Sequence, residues 1–364
     1  MHPQDPALQR LLDQVRGACA NKTALEIRGG GTKHFYGGAP RGELLDITPL
    51  AGVTSYEPSE LVVTARAGTP LAALEAELAE QGQCLPFEPP RFGPGGTVGG
   101  MVAAGLSGPA RASRGAVRDY VLGVTVLNGR AEMLTFGGQV MKNVAGYDVS
   151  RLMAGSLGVL GVICEVSLKV LPLAPASATL VFEMDETRAL QQLNGWAGQP
   201  LPLNASAWHR GRLSLRLAGA RAAVGAARQR LGGSELTLEA ASAWWAGVRD
   251  QQHAFFALDG QELARGDGLW RLSVPDTAPP LGLPGDGFIE WGGAQRWWRT
   301  TASQEQVRET ATRAGGHATL FRAADRSAGV FAPLSGPLAR LHRGLKQAFD
   351  PAGIFNPGRL YPDL

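Results

Sequence analysis

The chain has 364 residues, of which 44% are hydrophobic and 18% charged, a balance that excludes both a disordered chain and a membrane-embedded one. Its net charge is only +3, with arginines scattered rather than striped, so nucleic acid is not among the expected partners. The length favours two domains over one.

No run approaches eighteen apolar residues, and the start Met-His-Pro-Gln-Asp-Pro lacks the basic and apolar segments of a signal peptide. A cytoplasmic protein is the expectation. Cys19, Cys84 and Cys164 are odd in number and far apart, which argues against a disulfide framework. Three thiolates are also too few for the usual iron–sulfur cluster, and no metal site is expected in this chain.

In chain order, Leu8, Leu11, Leu12, Val15 and Cys19 form a helical stripe that Asp5 caps and Pro6 begins. A short strand over 24–28 then runs into Arg28-Gly29-Gly30-Gly31-Thr32-Lys33, which offers backbone N–H groups, a hydroxyl and two cations to an anion. It is not a Walker A loop, because no Gly-Lys-Ser/Thr follows. Strands are expected over 44–47 and 61–67. A helix after Thr69-Pro70 carries Leu71, Leu74 and Leu78 and stops at Gly82.

A second glycine loop runs from Gly93 to Pro109 and contains Gly95, Gly96, Thr97, Gly99, Gly100, Ser107 and Gly108. Thr97 is placed to cap a short helix over 98–104, so a phosphate would meet N–H groups from both loops. Strands over 120–127 and 131–136 flank Asn128-Gly129, read as a two-residue hairpin turn. One or two helical turns over 147–153 precede Gly155-Ser156-Leu157-Gly158-Val159-Leu160-Gly161 and a strand over 162–171.

Past Pro172 glycine clusters thin out and tryptophans gather. The order strand, helix, strand, strand, helix, strand over 179–239 is that of a ferredoxin-like unit. A helix headed by Ser303 and Gln306, a strand over 317–321 and a last helix bearing Leu338, Leu341, Leu345 and Phe349 follow. The chain closes on a Pro/Gly-fixed tail containing Asn356, and no internal repeat is legible.

The ordered segments Arg-Gly-Gly-Gly-Thr-Lys (28–33), Thr-Val-Gly-Gly (97–100), Ser-Arg-Gly-Ala-Val-Arg-Asp-Tyr-Val-Leu-Gly (113–123), Lys-Asn-Val-Ala-Gly-Tyr-Asp (142–148), Gly-Ser-Leu-Gly-Val-Leu-Gly-Val-Ile (155–163) and Phe-Asp-Pro-Ala-Gly-Ile-Phe-Asn-Pro-Gly (349–358) resemble the PCMH-type FAD-binding flavoproteins of the vanillyl-alcohol oxidase superfamily. Within it, the compact length and the form of the first loop look most like the FAD-binding subunits of bacterial glycolate oxidases.

The resemblance implies an α+β fold: a PCMH-type FAD domain over 1–172, a ferredoxin-like cap over 173–330 and a tail over 331–364 that returns to the flavin. It implies FAD held by residues 28–33, 95–97, 99, 100, 107 and 108, with Arg114, Asp119, Lys142, Asn143, Tyr147, Gly155, Ser156, Gly158, Gly161, Ile163 and Asn356 around it. No histidine stands inside the first loop, His34 lying just beyond it, so non-covalent FAD is expected. It also implies oxidation of a small 2-hydroxy acid such as glycolate, in a complex with a second FAD-containing subunit and an iron–sulfur subunit, through which this cytoplasmic chain would be peripheral at the inner membrane.

Departures from the family matter for the chemistry. The His-x-Gly-Asp-Gly-Asn stretch of the larger relatives is replaced by Gly315-Gly316-His317-Ala318-Thr319-Leu320-Phe321-Arg322. His317 remains as a candidate base and Arg322 as a candidate carboxylate clamp. Arg296, Arg299 and Arg326 compete for the clamp, near Glu290-Trp291-Gly292-Gly293 and Trp298. Two other readings stand beside this one: a serine hydrolase on Ser156, whose elbow needs a preceding strand, and a flavin-bearing docking subunit with no turnover of its own.

Overall fold

A computed structural model describes residues 5–138, 148–264 and 266–364. The opening helix is Pro6–Asn21, and Asp5 caps it by accepting from the N–H groups of Ala7 and Leu8. Its stripe of Leu8, Leu11, Leu12 and Val15 is buried in the largest core of the molecule. Strand Leu25–Arg28 pairs in parallel with Glu43–Asp46. The C-terminal tail joins at the other edge, where Leu25 N–H bonds Ile354 and Asn356 N–H bonds Leu25.

A five-stranded antiparallel sheet follows, in the order Val53–Glu57, Val62–Arg66, Val162–Lys169, Val121–Leu127, Met133–Gly137. Val53–Glu57 was not expected from the sequence, where Gly52 and the polar Thr54 and Ser55 hide it. Asn128-Gly129 is not a two-residue turn. The strands part at Leu127 and Met133, and Asn128 Oδ1 organises the wider loop by accepting from Arg130 and Glu132 N–H. Gly129 is needed for space instead, since a Cβ there would meet Asp350.

The second half forms one eight-stranded antiparallel sheet: Ser234–Glu235, Ala176–Glu183, Arg212–Gly219, Leu203–His209, Asp286–Glu290, Gln295–Thr300, Gly268–Ser273, His317–Arg322. The first four, with helices Glu186–Ala197 and Arg221–Leu231, have the expected ferredoxin-like order. The last four repeat that order in mirror sequence. The absence of a repeat is thus corrected at the level of topology: two ferredoxin-like units share one sheet through their second strands. In the second unit the Pro-rich connection 275–284 stands where the first crossover helix would be, and only Gln304–Arg313 remains. That loss breaks the pattern a sequence reading relies on.

One face of this sheet covers the glycine loops. Phe256, Phe288, Trp297 and Phe321 pack there on Tyr36, Ala104, Leu106 and Leu157. Polar ties cross the same seam, among them Trp291 Nε1 to Gly108 O at 3.0 Å, Ser113 Oγ to Asn204 O at 2.7 Å and the Arg216–Glu88 ion pair at 2.7 Å. Among the described residues, no helix is long and apolar enough to cross a membrane.

Candidate flavin and substrate site

The end of strand Leu25–Arg28, the head of helix Val98–Ala104, the turn at 157–163 and the tail enclose an open cleft with about 110 Å³ of room for the centre of a water-sized sphere. Arg28, Gly29, Gly30, Gly31, Thr32, Lys33, Thr97, Gly99, Gly100, Gly158, Gly161, Ile163 and Asn356 line it, so most of the expected FAD residues converge. Among the described residues, the N–H groups of Gly29, Gly30, Gly31, Thr32 and Lys33 have no hydrogen-bond partner within the protein. Five successive open donors at the mouth of the cavity make a concave row of N–H groups suited to an anion.

Close approach, more than unusual backbone angles, explains the glycines. A Cβ on Gly30 would overlap the carbonyl oxygen of Gly95, so the two loops touch backbone to backbone. A Cβ on Gly99 would come 2.6 Å from that of Ala67. Gly31, with φ of 69°, is the loop residue that needs the left-handed region. Thr97 caps its helix as expected, accepting from Gly100 N–H at 3.2 Å.

Lys33 points its amine 5.7 Å from the Phe92 ring centroid, with no carboxylate in ion-pair range among the described residues. Burial pushes that amine down to about 8, opposed by the charge of Asp250. Glu26, which also lines the cavity, has a buried Oε1 with no hydrogen-bond donor, and His34 Nδ1 stands 3.6 Å from it. Open donors, a half-buried cation and a carboxylate oxygen that Arg28 and His34 approach without a hydrogen bond together suit a ligand that carries both phosphates and hydroxyls.

Several expected FAD residues do not line this cavity. Gly95 and Gly96 support it from behind, Gly96 by accepting from Leu71 N–H. Arg114 O accepts from the Tyr120 hydroxyl, and Asp119 accepts from Ala116 N–H at 2.8 Å, so both serve the turn that precedes strand Val121–Leu127. Gly155 touches Gly105, and Ser156 is buried with its Oγ 3.4 Å from Gly158 N–H. Helix Val149–Leu152, not a strand, precedes Ser156, and the hydrolase elbow is absent. Lys142, Asn143 and Tyr147 lie outside the described residues.

Asn356 lines the cavity but does not offer its amide freely. Oδ1 accepts from Ile27 N–H at 2.8 Å, and Nδ2 donates to Leu157 O at 2.6 Å, which locks the tail to the strand and to the turn. Arg359 went unnoticed in the sequence although it follows the same Pro-Gly. Its buried guanidinium donates to the carbonyls of His34, Tyr36 and Gly38 and so fixes the exit of the first loop.

Ser107 and Gly108 line a second, much smaller cavity, with about 20 Å³ of room for the centre of a water-sized sphere, where the helix Val98–Ala104 has just ended and the eight-stranded sheet begins. Arg271, Glu290, Gln295, Trp297, Phe321 and Phe92 line it too, together with Arg249 and Gln251. Arg271 donates to the Tyr36 hydroxyl at 3.1 Å and has no ion pair among the described residues.

His317 and Arg322 do not meet here. They stand at opposite ends of one strand, roughly 16 Å apart at the usual rise per residue, and neither lines either cavity. His317 is exposed, opposite Ser273. Arg322 lies 4.5 Å over the Phe35 ring and donates to Phe256 O at 3.2 Å, and burial pushes its guanidinium down to about 10. The other candidate clamps are committed as well. Arg296 is fully buried on the carbonyls of Gly293, Pro279 and Ala278, Arg299 pairs with Glu262, and Arg326 reaches Gly37 O. Arg271 was not singled out in the sequence, because only strand pairing and the seam bring it to Tyr36.

Comparison with known proteins agrees with this geometry. Residues 8–137 match the model of an FAD binding domain family. The chain is 49% identical over 356 residues to glycolate oxidase subunit GlcE of Escherichia coli (strain K12), covering 98% of each chain. It is 36% identical over 137 residues to D-lactate dehydrogenase of Anaerostipes hadrus, a match covering 37% of this chain and 28% of that one. Among solved structures an alkyldihydroxyacetonephosphate synthase shares the fold, with a TM-score of 0.64 at 16% identity over 96% of this chain and 74% of the other. The chain is therefore an FAD-dependent flavoprotein and belongs to the family of the glycolate oxidase subunit GlcE.

Proposed function

We propose that this chain is the FAD-bearing subunit of an assembly that oxidises glycolate to glyoxylate. The observation that carries this reading is a cradle of five open N–H groups with a small, arginine-bearing cavity at the other end of one short helix. The first suits the pyrophosphate of FAD, and the second, which must widen to admit more than a water, offers Arg271 to a short carboxylate. When bound, FAD supplies the two-electron acceptor that turning a hydroxy acid into an oxo acid requires.

Residues 1–172 and the tail after 331 hold the cofactor in this reading, and 173–330 cover it. Arg271, which has no acidic partner among the described residues, faces the substrate carboxylate, and Phe321, Trp297 and Phe92 keep water from the cavity. FAD is held without a covalent bond. The reading includes a second flavin subunit and an iron–sulfur subunit as partners, because three cysteines in this chain are too few to bind the usual cluster. It also places the assembly in the cytoplasm, meeting the membrane through its partners.

The test is reconstitution. The purified chain mixed with FAD turns yellow and releases intact flavin on acid precipitation. Co-expressed with its two partners, it oxidises glycolate and the assembly survives mild purification. A chain that stays colourless with excess FAD overturns the cofactor site. An isolated chain that oxidises glycolate at the full rate removes the need for partners.

A further inference from the structure

The cavity at the seam holds a carboxyl group for which the fold has no evident use. Glu290 ends strand Asp286–Glu290 and is 4% exposed. Its Oε2 accepts from Trp297 Nε1 at 2.6 Å and from Gln295 Nε2 at 3.0 Å. Among the described residues Oε1 has no hydrogen-bond donor, no cation lies in ion-pair range of the carboxyl, and the side chain lines the cavity. Oε1 is thus not sealed away like a structural carboxyl oxygen but opens on the cavity, where a partner can reach it.

Its setting is that of a positioned group. Two donors from the neighbouring strand grip one oxygen, which fixes the plane of the carboxyl and leaves the other oxygen to the cavity. Gln295 pairs directly with Glu290 across the strands, and Trp297 lies two residues on, with its side chain on the same face. The other charged groups of the cavity wall are Arg249, which is bound twice to Asp250, and Arg271. A 2-hydroxy acid has a carboxylate and a hydroxyl on adjacent carbons, so it asks a site for one cation and one acceptor.

We propose that Glu290 receives the substrate hydroxyl, with Oε1 accepting first its hydrogen bond and then its proton as the C=O bond forms, while the hydride of the adjoining C–H bond would pass to FAD, the two-electron acceptor. This inference rests on the glycolate reading above and adds a residue to it. Burial pushes the Glu290 carboxyl up to about 7, against the bonds from Trp297 and Gln295, with the charge of Glu88 raising it further. A proton acceptor tuned near neutrality both binds and releases its proton readily, and such groups are worth roughly 10²–10⁴-fold in rate.

The experiment compares wild type, Glu290→Gln and Glu290→Asp, each FAD-loaded and assembled with its partners. It measures flavin content, glycolate binding by calorimetry on the FAD-loaded chain, and kcat/KM from pH 5.5 to 9. Wild-type kcat/KM rises as pH climbs through about 7, where Glu290 ionises. Glu290→Gln keeps its flavin and binds glycolate within about tenfold of wild type, yet loses roughly 100-fold or more in kcat/KM at pH 8 and no longer shows the limb near 7. Glu290→Asp, with its carboxylate set back by one methylene, keeps a limb at reduced rate, which a merely structural role would not restore.

A Glu290→Gln assembly with wild-type kcat/KM, or with an unchanged pH limb, overturns the role of Glu290 and leaves the glycolate reading standing. A wild-type assembly that oxidises no glycolate overturns both. Should Glu290→Gln fail to fold, the pH limb of Glu290→Asp decides: a limb that vanishes or stays at full wild-type rate refutes the assignment.

Discussion

Replacing Gly30 with alanine tests the cradle by a single methyl group. The new Cβ would overlap the Gly95 carbonyl, and backbone rather than a flexible side chain is the obstacle, so the two loops must part. Gly30 has φ outside the left-handed region, so alanine adopts its conformation without strain and the effect is one of space alone. Parting the loops turns at least two of the five open N–H groups away from a phosphate. A hydrogen bond to a charged group contributes about 1.5–3 kcal/mol, so the loss is roughly 3–6 kcal/mol in FAD binding. That corresponds to a Kd weakened by about 10² to 10⁴.

The assay is fluorescence titration of flavin-free protein with FAD, alongside circular dichroism to confirm that the helices and sheets persist. Gly344→Ala is the control, since nothing lies within 4 Å of a Cβ at that exposed helical position. A folded Gly30→Ala protein that binds FAD within threefold of wild type would refute the close-approach argument and with it the cradle.

Other outcomes follow from the same geometry. Gly344→Ala itself raises stability by up to about 1 kcal/mol, the usual helix preference of alanine over glycine, read from the midpoint of a denaturant titration. Asn356→Ala leaves Ile27 N–H and Leu157 O without their partners and costs roughly 2–6 kcal/mol of stability, at 1–3 kcal/mol for each orphaned group; unfolding at the wild-type midpoint would count against the bridge. Lys33 links FAD affinity to pH. Its amine, pushed down to about 8 by burial, is cationic below that value, and a phosphate favours the cation. Binding therefore takes up protons near pH 8 and weakens as pH rises through 8 to 9, a dependence that calorimetry in buffers of different ionisation enthalpy measures and that Lys33→Met should abolish.

Much of the flavin site was legible because its demands fall on single residues. A cradle needs glycines wherever backbone meets backbone, and Gly29, Gly30 and Gly99 declare that by composition alone. Gly29, Gly30 and Gly99 give room, whereas Gly31, Gly158 and Gly161 of the same cavity take positive φ. Asn128-Gly129 misled for the same cause. Its glycine makes room for Asp350, a partner more than two hundred residues away that no local pattern can announce.

The second cavity was poorly legible because it is made by pairing. Glu290 and Gln295 become neighbours through strand register, and Arg271 reaches Tyr36 across the seam between the two halves. His317 and Arg322 looked promising by position in the family pattern, but the strand carries them away from both cavities. The duplicated ferredoxin-like order was hidden too, since the Pro-rich 275–284 connection removes the helix by which the unit is recognised.

The tail explains why the flavin site cannot be a property of the N-terminal half alone. Ile354 and Asn356 complete the edge of strand Leu25–Arg28 by backbone bonds, and Arg359 holds three carbonyls of the loop that follows the cradle. Lys346, buried with Asp350 at 2.8 Å, also donates to Val159 O and Phe355 O, which anchors the last helix to the same turn. The cradle's open N–H groups are thus aimed by residues over three hundred positions away. If FAD fills those donors as proposed, its binding stabilises this arrangement of head and tail by mass action. The same logic connects cofactor to substrate, because helix Val98–Ala104 has the cradle at its head and the Ser107–Gly108 wall of the second cavity just past its end, so whatever sets the position of FAD also sets the position of the wall that faces Glu290.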